Sequence, residues 1–323
     1  MNPNGKLVLS TTKSNYKLPI KKAFQFNDET EFIQESDGIK VYKNGVCTST
    51  INPYYGEVLF HKINDDTIGI VSGVTPARIQ IYSLKYNEVL YSKQHNSFYF
   101  FFHLNNDTFA ITASTYTEIN RIEDKKIVRV AIKDMLKPCW EYKHAILIPN
   151  TNYIAILRNK VIDIYNRDNY SLFKTVNINE DQIFNHFYIE KDNKIFLGGF
   201  KIGIFDVNNW TITIIRDDKM KRFQGHIAGV ENNLNYSDIV VYSGKLICIR
   251  DFNQTQRSTY DNIPDQEISN GKDVYIFDYD NNQNKIIKLD EVKKGLNPKS
   301  IYLNNKNEVV IACSNGLQFY KCE

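Results

Sequence analysis

The sequence is poor in glycine and proline and has no long hydrophobic run. Its 323 residues include 15 glycines and 8 prolines, which excludes collagen-like and low-complexity chains. The longest aromatic run, residues 98–102, is far shorter than the roughly 20 residues that a membrane-spanning helix needs. The amino terminus has no apolar segment of the kind found in signal peptides. We therefore expect a cytoplasmic chain without a membrane span.

Paired cysteines and a strong excess of one charge are also missing. The 5 cysteines are an odd number, and they contain no CxxC pair, which disfavours a disulfide framework and a zinc knuckle. A reducing compartment fits this pattern best. Forty Lys and Arg against 37 Asp and Glu give a formal net charge of +3, much less than nucleic-acid-binding surfaces usually carry. The sequence therefore argues against nucleic acid as a partner.

The sequence is rich in apolar and aromatic residues. Hydrophobic residues make up 42% of the chain and aromatic residues 13%, with 21 Tyr and 19 Phe. Aromatic and β-branched side chains pack well on a pleated sheet, and a chain of this length can bury a large core. The composition therefore predicts an all-β globular protein.

Short apolar strands joined by turns rich in Asn and Asp recur along the chain, with a period of about 40 residues. One clear copy contains four such segments: residues 59–66, which end in a polar turn, residues 68–71, the alternating segment 78–82 and residues 89–93. Four short strands per copy are typical of the blades of a β-propeller. We count about eight copies, of which the seventh, with residues 274–277 as its second strand, is the weakest. The sequence thus predicts a single propeller with seven or eight four-stranded blades.

The two ends of the chain predict how the propeller closes. The last copy ends at Tyr320 without a fourth strand, whereas residues 6–11 form an isolated apolar segment before the first copy. We expect this N-terminal strand to complete the last blade, because the pairing would remove an exposed sheet edge. The copies leave room for one domain only, which we place at residues 6–323 after a tail of residues 1–5.

The repeats resemble those of the WD40 family, and the resemblance extends over nearly the whole chain. Gly225-His226 precedes a first strand, where WD40 repeats place a Gly-His pair. Phe205-Asp206 and Arg250-Asp251 stand in the place of the Trp-Asp dipeptide, and Ser72-Gly73 follows a second strand. The buried His-Ser/Thr-Asp-Trp network of the family is largely missing. The resemblance implies a non-catalytic propeller that serves as a protein–protein interaction scaffold within a multiprotein complex.

Histidine is the residue type that best supports an alternative function. His144, His186 and His226 fall near the start of first strands, and first strands line the central channel of a propeller. Imidazoles there could collect a metal or a small ligand, which makes an enzyme or a small-ligand or metal-binding propeller the alternative, with its site at the channel mouth. Matching carboxylates, HExxH spacing and nucleophile or phosphate-loop motifs are missing. We therefore predict no catalytic residue, no metal site and no cofactor, and we expect each of these histidines to be a structural residue that is hydrogen-bonded to its neighbour.

Loops between fourth and first strands carry the candidate binding residues. Aromatic and basic side chains in these loops are of the kind that dominates protein interfaces. Acidic residues lie in the same loops, which again disfavours DNA or RNA. Packing of the rings against the blade is the competing interpretation for the aromatic residues. We predict that other proteins bind through Tyr54, Tyr55, Trp140, Arg222 and Phe223.

Overall fold

Every regular element of the described chain is a β-strand, and the strands are numbered β1 to β28 below. The structure is a computed structural model. It describes residues 7–13, 16, 19–53, 56, 58–73, 76–96, 98–113, 117–133, 143–178, 184–189, 194–199, 201–216, 235–242, 245–251, 272–278, 283–287, 298–304, 306–313 and 315–322. These ranges contain no helix able to span a lipid bilayer. The all-β class predicted from the composition is confirmed.

The strands form seven four-stranded sheets, which we call sheets I to VII. Sheets I to III contain β2 (Lys22–Gln25), β3 (Thr30–Glu35), β4 (Gly38–Lys43) and β5 (Val46–Ile51); β6 (Val58–Lys62), β7 (Thr67–Ser72), β8 (Ala77–Ser83) and β9 (Glu88–His95); and β10 (Phe98–Asn105), β11 (Thr108–Ala113), β12 (Thr117–Glu123) and β13 (Lys126–Lys133). Sheets IV and V contain β14 (His144–Leu147), β15 (Tyr153–Leu157), β16 (Val161–Asn166) and β17 (Leu172–Asn177); and β18 (Phe184–Ile189), β19 (Ile195–Gly199), β20 (Ile202–Asp206) and β21 (Thr211–Arg216). Sheets VI and VII contain β22 (Asn235–Tyr242), β23 (Lys245–Asp251), β24 (Lys272–Asp278) and β25 (Gln283–Ile287); and β26 (Pro298–Leu303), β27 (Val309–Cys313), β28 (Gly316–Cys322) and β1 (Leu7–Lys13).

The count of about eight repeats is wrong, and the sheet order corrects it to seven. Six sheets are runs of four consecutive strands, and the seventh combines β26, β27 and β28 with β1. The predicted sixth and seventh copies are both parts of sheet VI. Residues 274–277, which we expected in the second strand of a separate copy, lie in β24, the third strand of that sheet. Residues 252–271 separate β23 from β24 in the sequence. Because this separation is long, β24 was mistaken for a strand of a new repeat.

Sheet VII joins the two ends of the chain, as the sequence predicted. β1 pairs antiparallel with β28, from Leu7 opposite Cys322 to Lys13 opposite Leu317, with a register shift between Leu9 and Thr11. β28 would otherwise be an end strand with an unpaired row of backbone groups. The pairing gives sheet VII the same four strands as the other sheets.

Burial differs sharply between the second and fourth strands. Most second strands are rich in apolar residues, and every residue of β7, β19 and β27 is buried, as expected for strands covered on both faces. The fourth strands are end strands of their sheets, and most residues of β5 and β17 are exposed. The fourth strands therefore present the sheet edges.

Turns between third and fourth strands share one backbone feature. In sheets I to V a residue of this turn has a positive φ, between 51° and 59°. In three sheets this residue is Asn or Asp, which adopts the left-handed region more readily than other non-glycine residues. In the other two it is an aromatic residue. The five residues, in sheet order, are Asn44, Asn87, Asp124, Tyr170 and Trp210.

The chain divides into two compact units. Unit A comprises Phe26–Phe187 and Val207–Trp210, and unit B comprises Met1–Gln25, Tyr188–Asp206 and Thr211–Glu323. A cluster of buried residues around Phe101 and Phe109 belongs to the core of unit A, and one around Ile249 and Ile311 belongs to the core of unit B. Our expectation of one domain at residues 6–323 stays a prediction.

Candidate functional sites

The five predicted loop residues have no described geometry. Tyr54, Tyr55, Trp140, Arg222 and Phe223 all lie outside the described residues. Their role in binding other proteins therefore stays a prediction.

Four histidines of unit A lie on the first strands of four consecutive sheets. They are His61 on β6, His103 on β10, His144 on β14 and His186 on β18, and each is half-buried. The sequence analysis named two of these residues, together with His226, which lies outside the described residues. The common position on first strands, not the surrounding motif, is the signal that identifies the whole set.

Two of these imidazoles contact each other. The ring centroids of His144 and His186 are 5.4 Å apart, with a nearly perpendicular arrangement of the rings. The backbone N–H of Phe187 donates a hydrogen bond to Nδ1 of His144 over 3.3 Å. Because Nδ1 accepts this bond, the neutral His144 carries its proton on Nε2 and can donate it.

A glycine and a phenylalanine define the surroundings of His61. Gly69 of β7 is the cross-strand partner of His61, and the ring centroids of Phe101 and His61 are 5.0 Å apart. A Cβ atom at position 69 would lie 2.5 Å from Cζ of Phe101, which is much closer than a carbon–carbon contact allows. The missing side chain of Gly69 thus lets the tip of the Phe101 ring approach β7, beside His61.

Burial lowers the pKa values of three of these histidines, and repulsion between imidazoles adds to the effect for two of them. Burial, with a contribution from His103, lowers the pKa of His61 to about 4. Burial lowers the pKa of His103 as well, and burial followed by the charges of His186, His61 and His103 brings the pKa of His144 well below its usual range. Neutral imidazoles can exchange hydrogen bonds with a ligand or bind a metal. However, the described part of the chain contains no group of three His, Cys, Asp or Glu side chains that could hold a metal ion.

Unit B has a separate polar cluster on its own first strands. Nζ of Lys22 lies 3.1 Å from Oδ2 of Asp238, and both side chains are half-buried. Asp238 has a φ of 47° and lies in a bulge of β22, between Ser237 and Val240. Burial and the Asp238 carboxylate raise the pKa of Tyr188 well above its usual range, although hydrogen bonds to the backbone at Asp238 oppose the shift. The cluster is thus a neutral phenol beside an ion pair, and sequence reasoning missed it because bulges leave no clear sequence signal.

Buried acids on third strands form hydrogen-bond networks that the sequence analysis also missed. Asp163 of β16 accepts hydrogen bonds from Arg158 at 2.8 Å and from Thr175 of β17 at 2.7 Å. Glu118 of β12 is similarly paired with Arg129 of β13 at 3.5 Å. Each acid joins the third strand of its sheet to the fourth. These networks provide polar links within sheets that largely lack the WD40 network.

Three aromatic residues of unit A form a partly exposed cluster, which we call the aromatic cluster: Tyr153, Phe173 and Trp210. The rings of Tyr153 and Phe173 stack at 4.7 Å between centroids, and Trp210 lies 5.8 Å from Tyr153 and 5.7 Å from Phe173. Phe173 is 52% exposed. The positive φ of Trp210 costs of the order of 1 kcal/mol or more. The cluster was not predicted, because its members are far apart in the sequence.

Exposed large apolar side chains concentrate on the fourth strands. Within the described residues, nine such side chains are exposed, and only Leu59 and Ile189 lie on first strands. The remaining seven are on fourth strands: Val46, Val89, Val128, Val130, Leu172, Phe173 and Ile214.

Comparison with known proteins supports the fold and nothing more specific. No family model and no curated protein matches the sequence. The crystal structure of the Cps50 (Swd1) β-propeller domain of Myceliophteria thermophila is similar with a TM-score of 0.68 and 8% identity, over 98% of this chain and 99% of that chain. The WD40 β-propeller domain of Doa1 is similar with a TM-score of 0.59 and 11% identity, over 99% of this chain and 98% of that chain. The four-stranded sheets are thus propeller blades, and the chain is a WD40-like β-propeller in fold.

Proposed function

We propose that this propeller is a non-catalytic platform that binds other proteins within a multiprotein complex. The observation that carries the proposal is the placement of seven exposed large apolar side chains on fourth strands. Exposed apolar side chains that lie next to one another are typical of interaction surfaces, and two such pairs are Val128 with Val130 on β13 and Leu172 with Phe173 on β17. The fold similarity to WD40 propellers supports the same conclusion by analogy.

The proposal includes the loop residues predicted from the sequence. Tyr54, Tyr55, Trp140, Arg222 and Phe223 would form a second contact region, because Tyr, Trp and Arg often contribute most of the binding energy of an interface. The net charge of +3 supports proteins rather than nucleic acids as partners. A cytoplasmic location is part of the proposal, and the thiols of Cys47 and Cys313 fit a reducing compartment.

Affinity purification from the native cell tests the platform function. The wild type is compared with a loop variant, in which Tyr54, Tyr55, Trp140 and Phe223 are replaced by Ala, and with a fourth-strand variant, Val128→Ser with Val130→Ser. We expect at least one protein that co-purifies stoichiometrically with the wild type to be lost from one of the two variants.

Leu59→Ser is the matched control for this experiment. Leu59 is 51% exposed and lies on a first strand, so that its replacement removes an exposed apolar group without changing a fourth strand. The platform function is contradicted if no stoichiometric partner is found, or if both variants retain every partner that the wild type binds.

One specific observation favours the alternative of a small-ligand propeller. His144 and His186 contact each other and are half-buried. Charge repulsion from His61 and His103 also contributes to the low pKa of His144. Metal analysis of the purified protein distinguishes the two functions. Stoichiometric zinc, copper or nickel that is lost in a His144→Gln and His186→Gln variant would favour the small-ligand function over the platform.

A further inference from the structure

The edge strand of sheet IV has the exposure that a strand-pairing site requires. β17 is the end strand in the order β14-β15-β16-β17, and five of its six residues are exposed. An end strand presents one row of backbone N–H and C=O groups that an added strand can pair with. Leu172, which is 55% exposed, begins this strand.

A bulge in β17 brings Phe173 into contact with the other two residues of the aromatic cluster. Tyr165 of β16 is opposite Leu172, whereas Ile164 is opposite Lys174, so that Phe173 is the additional residue. Bulges turn a side chain out of the regular alternation of a strand. Phe173 consequently stacks on Tyr153, and the aromatic cluster lies directly beside the exposed strand.

The turn that carries Trp210 does not itself require a large ring. The corresponding turns use Asn44, Asn87 and Asp124 at the position with positive φ, and these residue types adopt that conformation at lower cost. Tyr170 also has a positive φ, but its ring packs against a cluster of buried residues. Trp210, which is half-buried, packs instead on the exposed Phe173, so the strained position places an indole in the aromatic cluster.

Basic residues outnumber acidic residues along β17. The carbonyl oxygen of Lys160 accepts a hydrogen bond from the backbone N–H of Ile178 at 2.7 Å, which places Lys160 beside the end of the strand. Arg167 lies in the turn that leads into β17, and Lys174 is exposed within it. Asp168, in the same turn, accepts a hydrogen bond from Asn152. This distribution of charge favours an acidic partner segment.

We propose that a partner protein adds an extended, acidic segment to the open side of β17 and places an apolar or aromatic side chain on the aromatic cluster. The proposal rests on the platform function and specifies the partner class for one of its surfaces. Backbone pairing with β17 supplies the register, and the cluster and the basic residues select the sequence of the segment.

Selection from a phage library of random linear 12-residue peptides tests this proposal. The library is first depleted on a Phe173→Ser, Lys174→Glu variant and is then selected on the wild-type protein, with circular dichroism to verify that both are folded. We expect the enriched peptides to alternate acidic with apolar or aromatic residues. Synthetic fluorescein-labelled copies should bind the wild type at least ten-fold more tightly than Phe173→Ser and Lys174→Glu, as measured by fluorescence anisotropy.

Two controls isolate the predicted mode of binding. Leu59→Ser, on a first strand of sheet II, should leave the affinity of the peptides unchanged, and N-methylation of alternate peptide nitrogens should abolish binding. The proposal is overturned if depletion leaves no enriched peptide, if the enriched peptides are basic, if N-methylation has no effect, or if sedimentation shows that β17 pairs with a second copy of this chain. Because protein partners lost from the loop variant would still be found in those cases, the platform function can survive this failure.

Discussion

At the scale of single residues, the absence of a side chain at Gly69 has the clearest structural consequence. Gly69 allows the ring of Phe101 to approach β7, and Phe101 in turn lies beside the imidazole of His61. Sequence analysis could place His61 on a first strand from the alternating pattern. It could not identify the role of Gly69, because the residue that approaches it belongs to the next sheet.

Gly69→Ala should destabilise the protein by about 1 to 3 kcal/mol, because the new methyl group overlaps the Phe101 ring and forces the core to shift. Denaturant unfolding of the variant and the wild type measures the effect. Phe101→Leu removes the overlapping ring atoms, and Gly69→Ala should therefore cost less in that background than in the wild type. Equal costs in the two backgrounds would show that the contact is not responsible.

The low pKa of His61 predicts a loss of stability in acid. The pKa of about 4 in the folded chain is below the usual value of about 6.5, so that the unfolded chain binds more protons between these two pH values. Stability is therefore fully present above pH of about 6.5 and decreases as the pH falls toward 4, by up to roughly 3 kcal/mol. Unfolding free energies at pH 7 and pH 4.5 measure this loss.

His61→Gln should weaken this pH dependence without removing it, because His103 and His144 also have lowered pKa values. An unchanged pH dependence in the His61→Gln variant would contradict the assignment to His61.

At the scale of elements, buried polar residues link the third and fourth strands. Asp163 lies between apolar residues in β16, and nothing in that sequence pattern distinguishes a buried acid from an exposed one. Its partners Arg158 and Thr175 lie in a neighbouring turn and in β17. The network was not predictable because it depends on the register between the strands, which single-sequence patterns determine only loosely.

Asp163→Ala should lower the free energy of unfolding by about 3 to 5 kcal/mol, because the guanidinium of Arg158 then loses its partner in a half-buried position. Thermal or denaturant unfolding measures the loss. Thr175→Val removes a single neutral partner of the same carboxylate and should cost only about 1 kcal/mol. A similar cost for both variants would contradict the importance of the charge pair.

At the scale of the whole molecule, the periodicity of the sequence predicted the class, the four-stranded units and the pairing of the N-terminal strand. The count of about eight repeats was one too many, because residues 252–271 separate β23 from β24 of sheet VI in the sequence and suggest an additional repeat. The aromatic cluster was missed because its three residues are far apart in the sequence. Tyr153, Phe173 and Trp210 come into contact only when two sheets have formed. Local pattern therefore predicted strands well and contacts between strands poorly.

Deleting residues 1–13 should lower the melting temperature by many degrees, because β28 loses its partner and exposes its backbone groups along one edge. Differential scanning calorimetry measures the change. A deletion of residues 1–6 leaves β1 intact and is the matched control, for which we expect little change. Equal melting temperatures for both deletions would contradict a stabilising role for the pairing of β1 with β28.

The same pairing has a consequence for biosynthesis. Because β1 ends at Lys13 and β28 begins only at Gly316, sheet VII cannot assemble before β28 has been synthesised. At about 5 to 20 residues per second, synthesis of the intervening chain leaves β1 without its partner for roughly 15 to 65 seconds. Sheet VII is therefore the sheet whose strands wait longest for one another during synthesis.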